Sequence, residues 1–259
     1  MPEDKLSQRE IRRYSRQIMI PEIGIRGQEL LKEAAVIVVG AGGLGCPVLQ
    51  HLASGGVGRL TIMDYDFVDE QNLQRQFLYN SNDVGKLKTV IARSRLEQLN
   101  PLITIEALNL KLSASNSLQI LKNYDIVVDA TDNIGARYLI NDSCVILGKP
   151  MVHGAVYKFE GQVSVFNFMG GPTYRCYNPV ENIKKQSEPG SEDSGLTNVL
   201  PGITGTLIAN EVIKIITGIG KVLAGELLLF NILTNSFNIL NIKNIPENHS
   251  IKDLNPINY

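Results

Sequence analysis

Tryptophan is absent from the 259 residues, and cysteine and histidine are scarce, with three of each. Cys46, Cys144 and Cys176 are far apart and odd in number. That argues against a disulfide framework and fits a reducing compartment, so a cytoplasmic location is expected. His51, His153 and His249 stand in no recognisable catalytic setting, and each is read as structural or solvated. An excess of charge is also missing: 25 basic residues face 26 acidic ones, for a net charge of -1. No broad field favours nucleic acid or an anionic membrane, so neither is expected as a partner. Any anionic ligand must be held by local cations. The start, Met1-Pro2-Glu3-Asp4-Lys5, is charged and has no apolar core after it, which speaks against a secretory signal. No apolar run is read as reaching the length of about 18 residues that suggests a membrane span.

What is present alternates strand with helix. Ser7 to Ile20 has apolar residues at helical spacing and predicts a helical arm. Ala34 to Val39 is a β-branched run, hence a buried strand, followed by a glycine-rich turn and a helix to about Ser54. Further strands are predicted over Arg59 to Asp64, Ile103 to Leu108 and Asp125 to Asp129, with helices over Val84 to Leu99 and Ile134 to Leu147. Such alternation means βαβ units and a mainly parallel sheet. The pattern then changes. Met151 to His153 and Gln162 to Phe168 read as strands without a full helix between them. Gly170 to Pro201 is a long aperiodic loop, Ile203 to Thr217 a helix, and Glu226 to Phe230 with Ser236 to Ile242 a hairpin. The polar tail from Pro246 is expected to fray. The fold class is therefore α/β: a Rossmann-like, mainly parallel sheet extended by antiparallel C-terminal strands, with an N-terminal helical arm.

Gly40-Ala41-Gly42-Gly43-Leu44-Gly45 matches G-x-G-x-x-G and sits between a strand and a helix. Such glycines let the backbone approach a phosphate, which the helix start attracts. Asp64 ends the next strand, where an acid accepts hydrogen bonds from ribose hydroxyls. By itself this is a generic nucleotide signature, and a nicotinamide oxidoreductase is its default reading. The polar run Asp69-Glu70-Gln71-Asn72-Leu73-Gln74-Arg75-Gln76, the cations of Gly85-Lys86-Leu87-Lys88, and Asp129-Ala130-Thr131-Asp132-Asn133 tilt the case. All follow strands whose carboxyl ends would share one crevice. Hydride transfer has no need of Arg75, Lys88 and Asp132 there. A triphosphate with magnesium does, because cations neutralise phosphates and an acid helps hold the metal.

The ordered set resembles the ubiquitin-activating-like adenylyltransferases of bacteria, the ThiF/MoeB/HesA family of molybdopterin-synthase and thiamine-biosynthesis enzymes. The resemblance rests on Arg13-Tyr14-Ser15-Arg16-Gln17, the glycine motif, Asn72-Leu73-Gln74-Arg75-Gln76, Gly85 with Lys88, and Thr131-Asp132-Asn133. It continues through Glu160-Gly161-Gln162 and Tyr174-Arg175-Cys176 to the helix after Gly205, and runs from about Tyr14 to Asn241. It implies a single domain over 1–259: an arm (1–33), a nucleotide-binding half (34–150), a carrier-binding half (151–245) with its long loop (170–201), and a tail (246–259). It implies ATP and magnesium, with Gly40, Gly42, Gly43 and Asp64 near the nucleoside. Gln71, Asn72, Leu73, Gln74, Arg75 and Lys88 would line the phosphates, and Asp132 would bind magnesium beside Asn133. Arg16 would reach the phosphates from the other subunit of a homodimer. The catalytic set is Arg16, Arg75, Lys88 and Asp132. The substrate implied is a small ubiquitin-like carrier ending in Gly-Gly, whose carboxylate would attack the α-phosphate of ATP.

Two departures from the family qualify this. Relatives carry two Cys-x-x-Cys pairs that bind zinc, whereas here only Cys176 remains in Thr173-Tyr174-Arg175-Cys176, and Asn248-His249-Ser250 offers no cysteine. Zinc is therefore not expected. The loop cysteine of relatives aligns with Ser191, near Ser187 and Ser194. A serine without a base is a poor nucleophile, so adenylation is expected without a covalent carrier adduct. No sulfurtransferase region is recognised after the tail, so a separate protein is expected to donate sulfur. Molybdenum-cofactor synthesis is the first choice of pathway and thiamine the second. Adenylation of a non-protein substrate such as a modified tRNA base, and a degenerate binding scaffold, stay open as alternatives.

Overall fold

The computed structural model describes residues 5–179 and 195–254. Strands β1 (Ala35–Val39), β2 (Arg59–Met63), β3 (Thr104–Leu108), β4 (Ile126–Asp129), β5 (Met151–Tyr157), β6 (Glu160–Phe166), β7 (Glu226–Asn231) and β8 (Ser236–Asn241) join one sheet. The spatial order is β3-β2-β1-β4-β5-β6-β7-β8. The first five positions pair in parallel, and β5 through β8 pair antiparallel. The mixed sheet matches the expected fold class.

Alternation along β1 divides its side chains between two cores. Val36 and Val38 pack with Leu49, Leu52, Leu60, Ile62, Leu96, Ile208 and Val212 on one face. Ile37 and Val39 pack with Met63, Val127, Tyr138, Ile140 and Phe166 on the other. Helices α3 (Gly24–Glu33), α4 (Gly45–Gly55), α5 (Lys88–Leu99) and α9 (Val199–Thr217) cover the first face. Helices α6 (Ser117–Leu121), α7 (Ile134–Leu147) and α8 (Tyr174–Tyr177) cover the second. A parallel sheet needs both faces covered, which is why its strands read as continuous apolar runs.

The arm opens with α1 (Gln8–Arg13) and α2 (Ser15–Ile18), ahead of α3. Ser7 and Glu10 form a reciprocal cap on α1, and Lys32 pairs with Glu10 at 2.8 Å. Buried Asn100 ties the arm to the core, donating to Tyr14 Oη at 2.8 Å and to the Ala53 carbonyl at 2.6 Å.

Several expectations change. The helix α3 was not foreseen, nor were α6 and α8, the last lying inside the stretch read as an aperiodic loop. Strands β5 and β6 run on to Tyr157 and back from Glu160, because Lys158 adopts φ 51° and closes a tight hairpin. Helix α9 starts at Val199, four residues early, and has the length and apolar composition of a membrane span, against the sequence reading. In the fold it packs along α4, β5 and β6, with Leu200, Ile208, Ala209 and Val212 buried. The tail is pinned rather than frayed where it is described: Pro246–His249 forms a 3-10 turn, and Asn244 Nδ2 donates to the Gly170 carbonyl at 3.0 Å.

Candidate active site

Chain order reverses at β1, with β2 and β3 on one side and β4 and β5 on the other. A crevice must open outside the carboxyl ends of the strands at such a point. It does: a cavity of about 640 Å³ lies there. Its floor is the glycine turn. Gly40 has φ 101°, a conformation that side chains resist, and a Cβ on Gly45 would lie 2.0 Å from the Gly40 carbonyl oxygen. Gly42, Gly43 and Leu44 line the cavity just before α4, placing the positive end of that helix at its wall.

Asp64 is buried behind the turn. Its Oδ2 accepts from the Ala41 N–H at 2.7 Å and its Oδ1 from the Asp66 N–H at 2.8 Å. Each oxygen retains one lone pair, so the carboxylate fixes the turn and can still accept from a ligand. Lys88 is the first residue of α5, an unfavourable end for a cation. Its Nζ is nearly buried and pairs with Asp66 Oδ2 at 3.1 Å, which offsets that cost. The 3-10 turn Glu70–Asn72 presents Asn72, whose Oδ1 accepts from Arg75 Nη2 at 3.0 Å and Gln76 Nε2 at 3.2 Å. Gln76 Oε1 is buried at the cavity with no partner among the described residues.

Of the residues singled out from sequence, Gly40, Gly42, Gly43, Asp64, Asn72, Arg75, Lys88, Asp132 and Asn133 share the cavity wall. Gln71, Leu73 and Gln74 do not. Gln71 and Gln74 are exposed, and Leu73 packs on the core beneath. They shape the turn that presents Asn72 and Arg75. Arg16 is exposed on α2 and is not part of the wall in the single chain. Asn133 caps α7, its Oδ1 accepting from the Ala136 N–H at 3.0 Å. Asp132 is exposed at the cavity and has no hydrogen bond or ion pair among the described residues. Among these, no cluster of three or more His, Cys, Asp and Glu forms a metal cage. Magnesium bound with phosphates needs only one or two carboxylates, so a free Asp132 fits it.

Sequence reasoning missed Asp66, Lys111 and Arg137, all in the wall. Asp66 and Arg137 were legible by offset: two residues past Asp64, and in the first turn of the helix after Asp132. Beneath Arg137 lies a buried pair, His153 Nδ1 and Asp129 Oδ2 at 2.7 Å. Asp129 Oδ1 also accepts from Thr131 N–H and Oγ1 at 3.0 and 2.6 Å. Burial works against the Asp129 charge. The hydrogen bonds from His153 and Thr131 and the charge of Arg137 outweigh it and hold the carboxyl below its usual range. Burial pushes the His153 pKa down despite Asp129, so a neutral ring meets an ionised carboxylate. This histidine is structural, as expected.

Cys46 and Cys144 are fully buried, and burial pushes the Cys46 thiol up to about 12, so both are inert packing groups. Cys176 differs. Its Sγ accepts from the Ile245 N–H at 3.4 Å and Asn248 Nδ2 at 3.5 Å, and lies 3.5 Å from Thr173 Oγ1. Burial raises this thiol's pKa, but those hydrogen bonds outweigh it and bring it below the ordinary value. The pairs 173/176 and 245/248 have Cys-x-x-Cys spacing, yet only one of the four is a thiol. A tetrahedral zinc site cannot be formed from them, so the residues do not fit that metal. Ser187, Ser191 and Ser194 lie outside the described residues.

The chain is similar to known proteins in sequence and in fold. A family model described as the ThiF family matches residues 14–250. A sulfur carrier protein adenylyltransferase of Thermus thermophilus is 48% identical over 246 residues, covering 92% of this chain and 89% of that protein. A probable molybdopterin-synthase adenylyltransferase of Porphyra purpurea is 45% identical, over 88% of this chain and 60% of the relative. The adenylyltransferase and sulfurtransferase MOCS3 of Aedes aegypti is 48% identical over 93% of this chain, which spans 55% of that protein. The chain thus covers little more than half of the latter two. Among solved structures, E. coli MccB with ATP superposes with a TM-score of 0.79 at 23% identity, covering 97% of this chain and 77% of that one. That likeness speaks for the fold alone. The chain belongs to the ThiF family and is an adenylyltransferase.

Proposed function

We propose that this enzyme adenylates the C-terminal carboxylate of a small ubiquitin-like sulfur carrier ending in Gly-Gly. The observation that carries the reading is the single cavity where the glycine turn, Arg75, Lys88 and the unpaired Asp132 meet. A carboxylate oxygen bonds to the α-phosphorus of ATP. The bond from that phosphorus to the bridging oxygen breaks, and pyrophosphate leaves with the electron pair. No proton moves, which suits a cavity with no histidine among its described lining residues.

Carboxylate and triphosphate repel each other, so catalysis here is positioning and charge neutralisation. Asp64, at the end of β2, accepts from the ribose hydroxyls. Gly40, Gly42 and Gly43 let the nucleotide approach the backbone. Asn72, Arg75 and Lys88 hold the phosphates, with Gln71, Leu73 and Gln74 shaping their turn. Magnesium, held by Asp132 beside Asn133 together with the ATP phosphates, would supply Lewis-acid neutralisation of their oxygens. Arg16 completes the site from the second subunit of a homodimer. Its exposure, outside the single-chain cavity, supports that reading.

Residues 34–150 then form the nucleotide half and 151–245 the carrier half of one domain. The protein holds no zinc, Ser191 forms no covalent adduct, and a separate protein donates sulfur. Free, unpaired cysteines support work in the cytoplasm. Molybdenum-cofactor synthesis is the first choice of pathway and thiamine the second; a relative named as a probable molybdopterin-synthase adenylyltransferase supports the first. The test is exchange of labelled pyrophosphate into ATP with magnesium, with and without a Gly-Gly carrier protein. Carrier-dependent exchange is expected. Nucleotide binding that prefers NAD over ATP would overturn the reading.

A further inference from the structure

The crevice must hold two anions, and its cations come from opposite flanks. Arg75 lies between β2 and α5, and Lys88 is the first residue of α5. Arg137 belongs to α7, after β4, and β2 and β4 lie on opposite sides of β1. The Arg137 flank also carries Val156 from the end of β5.

Lys111, after β3, lies over the Tyr65 ring, and the remaining three cations differ in how far they are already satisfied. Lys88 is paired with Asp66, and Arg75 donates to Asn72 Oδ1 and the Gln71 carbonyl. Arg137 makes one hydrogen bond among the described residues, from Nη2 to the Thr131 carbonyl at 3.1 Å. Its Nε is buried with no partner. No carboxylate pairs with it among the described residues. Asp129, whose Oδ1 accepts from Thr131 and whose Oδ2 accepts from His153, makes no ion pair with it. A buried, unspent donor on a cation is costly to keep unless a ligand completes it.

Building on the proposed function, we propose that Arg137 is the acceptor-binding cation of this enzyme. Its guanidinium takes the carrier's terminal carboxylate and presents one oxygen to the α-phosphorus. A planar guanidinium fork matches a carboxylate with two parallel hydrogen bonds, which an ammonium cannot reproduce. The division of labour follows: the β2 flank holds the nucleotide and the β4 flank holds the acceptor.

The test measures binding of a sulfur-carrier protein ending in Gly-Gly, prepared with a free carboxylate or as the carboxamide. Wild-type and Arg137→Gln proteins are each loaded with magnesium and a non-hydrolysable ATP analogue. Wild type should bind the carboxylate form at least about tenfold more tightly than the amide, as a charge-assisted pair requires. In Arg137→Gln that preference should fall to within about twofold while affinity for the ATP analogue changes by less than about twofold. Arg137→Lys should restore part of the preference. Arg137→Met, of similar length, gives the same readout should the Gln variant melt early. An undiminished carboxylate preference in the Gln or Met variant overturns the proposal, as does a loss confined to ATP affinity. A wild-type enzyme that binds the ATP analogue but neither carrier form overturns the carrier reading and this proposal with it.

Discussion

The crevice and the cluster around Cys176 both occupy motif positions, and they differ in how their polar groups are satisfied. At the crevice, Asp132 has no partner among the described residues, and Arg137 Nε and Gln76 Oε1 are buried without one. Around Cys176, the thiol gathers Thr173, the Ile245 N–H and Asn248, and each group answers another. Groups awaiting a ligand keep unspent capacity, because the ligand supplies the missing half. Groups that replace a ligand close on themselves. On the proposed function the first region is the site, and the second is a clasp joining the tail to α8.

That contrast breaks most easily at the crevice. Lys88→Ala and Asp132→Ala should each reduce pyrophosphate exchange by about a hundredfold or more, with melting little changed for Asp132→Ala. Exchange at wild-type levels in both would remove the crevice from the chemistry. The next effect concerns Arg16. Homodimers of Arg16→Ala and of Asp132→Ala should be nearly inactive. A tagged heterodimer of the two keeps one site with both groups and should recover about half of wild-type activity. No recovery above the parents would place Arg16 in its own chain's site.

At the clasp, metal analysis of the purified protein should find zinc far below one per chain. Thr173→Cys, Ile245→Cys and Asn248→Cys combined should create four thiols around the tail and bring it to about one. A wild-type protein with one tightly held zinc would show that the clasp is a site after all. The smallest effect is a pH slope. His153 has a folded pKa depressed below its unfolded value, so the unfolded chain binds a proton that the native state refuses. Its contribution is present above about pH 6.5 and is lost as pH falls through that value. Asp129, also depressed, adds loss only at lower pH. The melting temperature of wild type should therefore drop more steeply from pH 7 to pH 5 than that of His153→Asn. Parallel slopes would contradict a neutral ring.

Much of this was legible before any coordinates. β1, β2, β4 and α7 announce themselves because buried parallel strands are apolar throughout and α7 carries its own cap at Asn133. Gly40 to Gly45 and Asp64 follow from backbone constraint. Short α6 and the early start of α9 were not legible, since packing rather than local propensity decides them. Among the cavity residues, Arg75, Lys88 and Asp132 could be picked out as charges following strands, whereas Asn72 came only with the family resemblance. Arg137 was passed over because an arginine in a helix ordinarily reads as a solvated face.

Sequence by itself determined the strand-turn-helix with its glycines, the balance of charge, and the shortage of thiols that leaves zinc without ligands. These are local facts: a φ of 101° at Gly40, or one sulfur where four are needed, follows from which residues stand in a short stretch. Only the tertiary structure decided which cations are spent. Lys88 meets Asp66 because β2 and α5 converge. Arg137 keeps a bare Nε among the described residues, while Asp129 beneath it accepts from His153 of β5, 24 residues away in the chain. A hydrogen bond is decided within a few tenths of an ångström, and the positions that settle it come from strands far apart in the chain.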